Sequence, residues 1–184
     1  APLCGSAPGV GVVGFLSGGG IGPLVRSVGA SSDHVRSFDV VTGTGELRRA
    51  TAEDNAELFW GLRGGKATLG IITETVIDLL PITEIYGGAL YFDGTAAASV
   101  LGAWRRWMRD LPDHASTSIA LLRLPDMPGV PPMLAGRMTV AVRYASLAAP
   151  DVAAATIEPL RAVATPVLDA VGPMPYAAIG AIHA

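Results

Sequence analysis

Residues 1–25 contain eight glycines and three prolines, and no charge appears before Arg26. This density constrains the chain more than any other feature. Glycine in a helix interior costs backbone entropy, and proline removes a backbone donor and clashes with the preceding turn. The uncharged stretch is long enough for a crude membrane-span test, but its apolar runs are short and a helix there would be broken repeatedly. A signal peptide needs a basic start and an unbroken apolar centre, and neither is present. The segment therefore reads as a short buried strand, Val10–Leu16, followed by the loop Ser17–Pro23. These readings imply no membrane partner and favour a cytoplasmic location.

Composition narrows the class further. Half of the 184 residues are hydrophobic and 16% are charged, against about 25% charged in an average soluble domain. That leaves ample material for a core and excludes disordered, coiled-coil and collagen-like chains. Thirteen basic and sixteen acidic residues give a net charge of −3, with Lys66 as the single lysine. Such a balance carries no basic footprint for nucleic acid. One cysteine, Cys4, excludes a disulfide framework and a cysteine-based zinc site. Mean hydropathy is +0.44, high for a chain without a membrane span.

The hydrophobic pattern predicts two halves with a boundary near residue 81, giving domains over 1–81 and 82–184. In the first, Val35–Val41 and Glu46–Ala50 read as a hairpin across Thr42-Gly43-Thr44-Gly45. Thr51 or Asp54 can cap a short helix that carries Leu58, Phe59, Trp60 and Leu62 and stops at Gly64-Gly65. Gly70–Leu80 reads as a strand ending at Pro81. In the second half, Thr83–Phe92, Ser116–Leu124 and Arg137–Tyr144 read as strands. Ala96–Leu111 has Val100, Leu101, Trp104, Trp107, Met108 and Leu111 on one helical face. Asp151 can cap a second helix to about Ala164, which Pro159 should kink or split. The whole is an α+β pattern with an antiparallel sheet.

Gly9-Val-Gly11-Val-Val-Gly14 matches G-x-G-x-x-G, the dinucleotide fingerprint, and raises the alternative of an NAD(P)-dependent Rossmann dehydrogenase. That fingerprint needs a strand before it and a helix opening from it. Cys4–Pro8 is no strand, and three consecutive glycines follow at 18–20. Physically, glycines let a flat or anionic ligand approach the main chain. A tight turn in a buried β core explains them equally well from the residues alone.

The run Gly5-Ser6-Ala7-Pro8-Gly9-Val10-Gly11-Val12-Val13-Gly14-Phe15-Leu16-Ser17-Gly18-Gly19-Gly20-Ile21-Gly22 resembles the flavin-facing segment of FAD-linked oxidases of the berberine bridge enzyme type. The resemblance continues through Arg26, Gly29, Asp33-His34-Val35, Glu46-Leu47, Leu58–Gly65 and Gly70–Thr73, with a weaker element at Pro173-Met174-Pro175-Tyr176. It implies the second half of a PCMH-type FAD-binding domain, of the vanillyl-alcohol oxidase kind, followed by part of a substrate domain with an antiparallel sheet and helices. It also implies FAD as cofactor. Gly11, Gly14, Phe15, Gly18, Gly19 and Gly22 would line the flavin, and Gly70, Ile71 and Ile72 would approach the adenosine. Many members of the family tether the flavin through a histidine and a cysteine. Here Ala7 stands at the cysteine position and Cys4 three residues earlier, which argues against a cysteinyl bond. The histidine anchor of the family falls in a segment upstream of this sequence.

The activity implied is hydride transfer from an alcohol, amine or sugar-like small molecule to flavin, with O2 as acceptor. The resemblance also implies that the chain is a fragment whose partner is the remainder of the same polypeptide. An open alternative is a non-catalytic, truncated pseudo-oxidase acting as a binding module. No catalytic residue can be matched to a family motif; Tyr144, Tyr91 and Glu84 are the candidates on predicted strands for a base. His34 reads as a turn residue bonding backbone, His114 and His183 are too scattered for a metal site, and Lys66 reads as solvated. Trp104 and Trp107 read as packing residues, with Arg105, Arg106 and Arg109 on the opposite face of their helix.

Overall fold

In the computed structural model, every residue is described except Pro8, within the glycine-rich run, and Ala184, the last residue of the second expected domain; the Ala67 side chain is likewise outside the description. The chain divides into two compact units, Ala1–Ile82 and Thr83–Ala184.

The first unit is built on a three-stranded antiparallel sheet of order β2-β1-β3, from β1 (Val35–Val41), β2 (Leu47–Ala50) and β3 (Ile71–Ile77). Strand β1 lies in the middle, and Phe38 and Val40 on it are fully buried. The β1–β2 turn closes where Thr42 N–H donates to the Glu46 carbonyl and Gly45 N–H to that of Thr42, both at 2.9 Å. Thr51 Oγ1 then accepts from the N–H groups of Glu53 and Asp54, at 3.1 and 3.0 Å, and turns the chain toward its third helix. Neither Thr51 nor Asp54 is the cap residue, however. That position is Asn55, in the left-handed conformation at φ 52, with its side-chain amide donating to the Arg49 carbonyl. Asparagine tolerates this conformation better than most residues. The helix, Ala56–Leu62, buries Phe59 and Leu62 against the sheet, with the Phe38 and Phe59 rings 6.0 Å apart; it is α3 in chain order.

The expected strand Val10–Leu16 is not one. Val12–Leu16 is a short helix, α1, and Val25–Val28 forms another, α2. The first unit's sheet offers this segment no strand to pair with, so its polar backbone is satisfied locally. Phe15 N–H donates to the Gly11 carbonyl at 3.0 Å and Ser17 N–H to that of Val13 at 2.9 Å. The segment is not buried either: Val10, Val12 and Val13 are exposed, and only Leu16 enters the core with Val35, Phe38, Val40, Ala50, Phe59 and Leu62. The dinucleotide fingerprint is thereby excluded. A helix does open after Gly11, but it closes after five residues, no strand among the described residues precedes it, and all strand pairs of this unit are antiparallel.

The second unit is an antiparallel sheet of order β5-β6-β4-β7, from β4 (Glu84–Asp93), β5 (Ala115–Arg123), β6 (Met138–Ser146) and β7 (Leu168–Asp169). A further short strand, β8 (Gly172–Pro175), continues the β7 edge along β4. Helices α4 (Ala97–Trp107) and α5 (Pro150–Arg161) cover one face, closing a core of Tyr86, Leu90, Phe92, Val100, Val140, Val142, Tyr144, Ile157 and Leu160. Trp104 and Trp107 pack against this core, and their indole N–H groups donate to Thr117 Oγ1 at 3.0 Å and the Thr156 carbonyl at 2.9 Å. Arg105, Arg106 and Arg109 are exposed. Helix α4 passes into a 3-10 turn at Met108–Asp110 rather than running intact to Leu111. Helix α5 starts at Pro150, with Ala149 and not Asp151 at the cap. It is also not split at Pro159. Two residues from the end, proline removes a single hydrogen bond from the last turn and leaves the rest of the helix intact.

Between β7 and β8 the strands are interrupted at Ala170–Val171, with the register along β4 unchanged. Arg161 at the end of α5 holds that segment: its Nε donates to Asp169 Oδ2 at 2.7 Å and its guanidinium to the Val171 carbonyl at 3.1 Å. Opposite this segment lies Gly88, at φ +138, where an added Cβ would come within 2.0 Å of the Ala170 carbonyl oxygen. Such a clash with backbone cannot be relieved by a rotamer change. Gly88→Ala should therefore destabilise the unit by about 3 kcal/mol or more, seen as a lowered midpoint in chemical denaturation. Gly172→Ala, where nothing lies within 4 Å, should change stability by less than about 1 kcal/mol.

Candidate functional site

The glycine-rich segment comes together with a second loop of the same unit. After α1, Ser17 ends the helix and Gly18 and Gly19 turn the chain back. The Ser17 carbonyl accepts from Lys66 N–H at 3.0 Å, and the Lys66 side chain lies over Gly18, with its Cε 2.8 Å from where a Cβ would stand. Lys66 itself is held at φ 55, so this loop is specifically shaped. It leads through the 3-10 turn Lys66–Leu69 into Gly70 and β3. Gly70 is at φ +142 and packed so closely on β1 that a Cβ would lie 2.5 Å from the Val41 carbonyl oxygen. Lys66 is exposed, as expected of a solvated lysine, and its side chain also touches the glycine turn.

The residues singled out in the sequence occupy distinct positions around this junction. Gly11, Gly14 and Gly19 have nothing within 4 Å of a built Cβ, so their backbone faces are open. Gly18 lies under Lys66, and Gly22 runs against the Cys4 carbonyl. Phe15 is half-buried, its ring edge 3.0 Å from a Cβ position on Gly5. Strand alternation separates the last two: Ile71 is 71% exposed, whereas Ile72 packs on the core with Val40 and Leu62. Around the open glycines stand the exposed apolar side chains Val10, Val12, Val13 and Ile21. An open backbone surface with apolar neighbours and one cation fits a flat, anionic cofactor. Ala7 is exposed, and Cys4 forms no disulfide.

The other titratable candidates resolve differently. His34 is a turn residue, its Nε2 donating to the Val28 carbonyl at 2.7 Å. His114 Nδ1 pairs with Ser146 Oγ at 3.1 Å. Among the described residues no group of three or more His, Cys, Asp or Glu is placed to hold a metal, and no helix is long and apolar enough to cross a membrane. Tyr144 faces the helices: it is 1% exposed, its hydroxyl donates to the Ala153 carbonyl at 3.2 Å, and burial pushes its phenol above the ordinary value. A phenol so placed is no base for a substrate. Tyr91 is buried under Leu134, and Glu84 is exposed at the start of β4.

A polar group that the sequence reading passed over lies on the opposite face of the second unit's sheet. In register across the strands stand Ala89, Arg143 and Ser118, flanked by Gly87, Ala145 and Ser116. His183 reaches the same place from the 3-10 segment Tyr176–His183, its Nε2 3.4 Å from Ser118 Oγ. Burial, and then the Arg143 charge, hold the His183 imidazole below its ordinary value. The period-two reading of Thr139, Ala141, Arg143 and Ala145 was the signal available in the sequence; it puts an arginine among small residues on one face.

Residues 1–51 match the family model described as the FAD binding domain. Over this and the neighbouring residues the chain is similar to FAD-linked oxidoreductases. An FAD-dependent monooxygenase of Aspergillus calidoustus is 46% identical over 79 residues, covering 43% of this chain and 15% of that protein. The (R)-6-hydroxynicotine oxidase of Paenarthrobacter nicotinovorans is 28% identical over 100% of this chain and 39% of its own length. The crystal structure of 6-hydroxy-D-nicotine oxidase from Arthrobacter nicotinovorans shares the fold, with a TM-score of 0.83 at 24% identity over 99% of this chain and 39% of that one. The chain thus spans well under half the length of these FAD-linked relatives.

Two outcomes follow for the second unit. Tyr144→Phe should cost about 1 kcal/mol, the worth of one buried hydrogen bond, with the sheet unchanged by circular dichroism. His183 should titrate below about 6.5 by proton NMR, and Arg143→Gln should move it upward. Since its folded value is the lower one, the fold binds fewer protons than the unfolded chain below that pH. Its contribution is therefore present above the unfolded value and lost as pH falls through the folded one.

Proposed function

We propose that this chain is part of an FAD-dependent oxidase, the first unit carrying part of the FAD-binding domain and the second part of a substrate domain. In this reading the parent enzyme oxidises an alcohol, amine or sugar-like small molecule and uses O2 as electron acceptor. The observation that carries it is the coincidence of two features: the FAD binding family match over residues 1–51 and the open glycine faces at Gly11, Gly14 and Gly19 within it. The oxidase part of the reading leans on the hydroxynicotine oxidase, which aligns along the whole chain.

When bound, FAD supplies a ring that accepts two electrons as hydride and returns them to O2. The chain's own residues bind and shape. Gly11, Gly14 and Gly19 admit a planar ring to the backbone, with Phe15 beside them, while Gly18 and Gly22 let the loop pack against Lys66 and Cys4. Gly70 and the main chain of Ile71 and Ile72 serve the adenosine end, where the Ile72 side chain is committed to the core. Lys66, folded over Gly18, adds positive charge beside the cofactor. With alanine at position 7, the flavin carries no cysteinyl bond in this reading, since methyl offers no nucleophile and Cys4 is out of register.

The test is an FAD titration of the 184-residue chain followed by flavin fluorescence. Saturable quenching is expected, with the flavin lost on desalting and affinity reduced about tenfold in Gly14→Val, whose side chain would occupy the open face. No saturable quenching, or an unchanged affinity in Gly14→Val, would overturn the flavin reading. Flavin retained after desalting at one per chain would show that these residues hold a complete site by themselves.

A further inference from the structure

The face of the second unit's sheet that turns away from α4 and α5 has an unusual hydrogen-bond balance. Arg143 Nε, Ser116 Oγ and His183 Nδ1 are all buried atoms without a hydrogen-bond partner. An unpaired buried polar group costs about 1–3 kcal/mol, more when charged, so these three, with Thr139 Oγ1 also unpaired farther along the same face, demand an account. The guanidinium carries donors only, and among the described residues no carboxylate forms an ion pair with it. Asp93, the acidic residue of β4 on this side of the register, is committed to Thr95, accepting from its N–H at 2.9 Å and its hydroxyl at 2.7 Å.

The residues around the arginine are small. Its neighbours across the strands are Ala89 and Ser118, and Ala141 and Ala145 stand two residues away along β6. Larger groups close the ends: Leu134 covers Ala141 and Tyr91 on one side, and Ile182 lies against Gly87 on the other. Arg143 itself is only partly buried. A planar fork of donors with one positive charge, flanked by two hydroxyls and an imidazole, is matched by a planar, singly charged acceptor.

We propose that this face binds a carboxylate-bearing small molecule, with Arg143 contacting the carboxylate and Ser116, Ser118 and His183 completing its hydrogen bonds. The inference deepens the oxidase reading and rests on it for the word substrate: Arg143 becomes a specificity-determining residue that selects an acidic alcohol or amine over its neutral analogue. The carboxylate binds as an anion and takes no part in the redox step.

Benzoate is the probe, and its uncharged isostere benzamide the control, titrated into the isotope-labelled 184-residue chain by heteronuclear NMR. Benzoate should give saturable shifts confined to Ser116–Ala120, Ala141–Ala145 and His183, with benzamide weaker by about tenfold or more. Arg143→Gln should weaken benzoate by about tenfold and leave benzamide unchanged, while Arg143→Lys, which keeps the charge and loses the fork, should fall between. Equal binding of the two probes, an unaltered benzoate affinity in Arg143→Gln, or no saturable shift on this face would each overturn the proposal. The two-probe comparison on the unmutated chain holds even if Arg143→Gln fails to fold. Loss of FAD quenching with benzoate binding intact would overturn the flavin reading and leave the anion site standing, so the two failures are distinguishable.

Discussion

Strand β6 has neighbours on both sides, β5 and β4, and can turn only every second residue toward the helices. Val140, Val142 and Tyr144 take that direction and are buried under α4 and α5. Thr139, Ala141, Arg143 and Ala145 are then forced onto the other face, whatever their polarity. One register thus determines both the core of the second unit and the chemistry opposite it. A slip by a single residue would carry arginine into the helices and valine out of the core. The nine paired positions between β5 and β6 hold the strand against that slip.

The first unit depends on a different constraint. Its opening segment contributes Leu16 to the core and leaves three valines exposed. What fixes the segment is backbone bonding: Ser31 and Ser32 N–H groups donate to the Gly20 and Gly19 carbonyls at 2.9 and 3.3 Å, and Lys66 N–H to that of Ser17. A glycine-rich path held by its carbonyls can stay in place while its outer surface remains bare. Surface of this kind costs hydration free energy unless something apolar lies on it, which is consistent with a segment shaped for a ligand.

Most strands and helices were legible because they are periodic. The 3.6-residue spacing of Val100, Trp104 and Trp107 left little ambiguity about type. The errors fell where local chemistry is ambivalent. Val12-Val13 carries strand propensity, yet with no partner strand the backbone closed on itself as α1. Pro159 announces a break, but at the end of a helix it removes only one bond. The sequence places Tyr144 on a strand; which face it occupies is a matter of register, and that depends on α4 and α5 lying over it. The same blindness hid Arg143, adjacent to it in sequence and opposite to it in space. The family resemblance, by contrast, rested on glycine spacing, and the match to the FAD binding domain falls on the same residues.

The interruption at Ala170–Val171 also bears on strand-to-strand assembly. A sheet edge normally presents a row of free backbone donors and acceptors on which a strand from another molecule can assemble. Here that border consists of two residues in β7 and four in β8, separated by two residues outside either strand. Pro173 and Pro175 remove two of the amide hydrogens that such an assembly would require. The Val171 N–H, between the two strands, is taken by Asp169 Oδ1 at 3.0 Å. Interrupted in this way, the β7–β8 side of the sheet provides no uniform template for growth, and the ion pair that ties Asp169 to α5 doubles as a safeguard against fibril-like stacking.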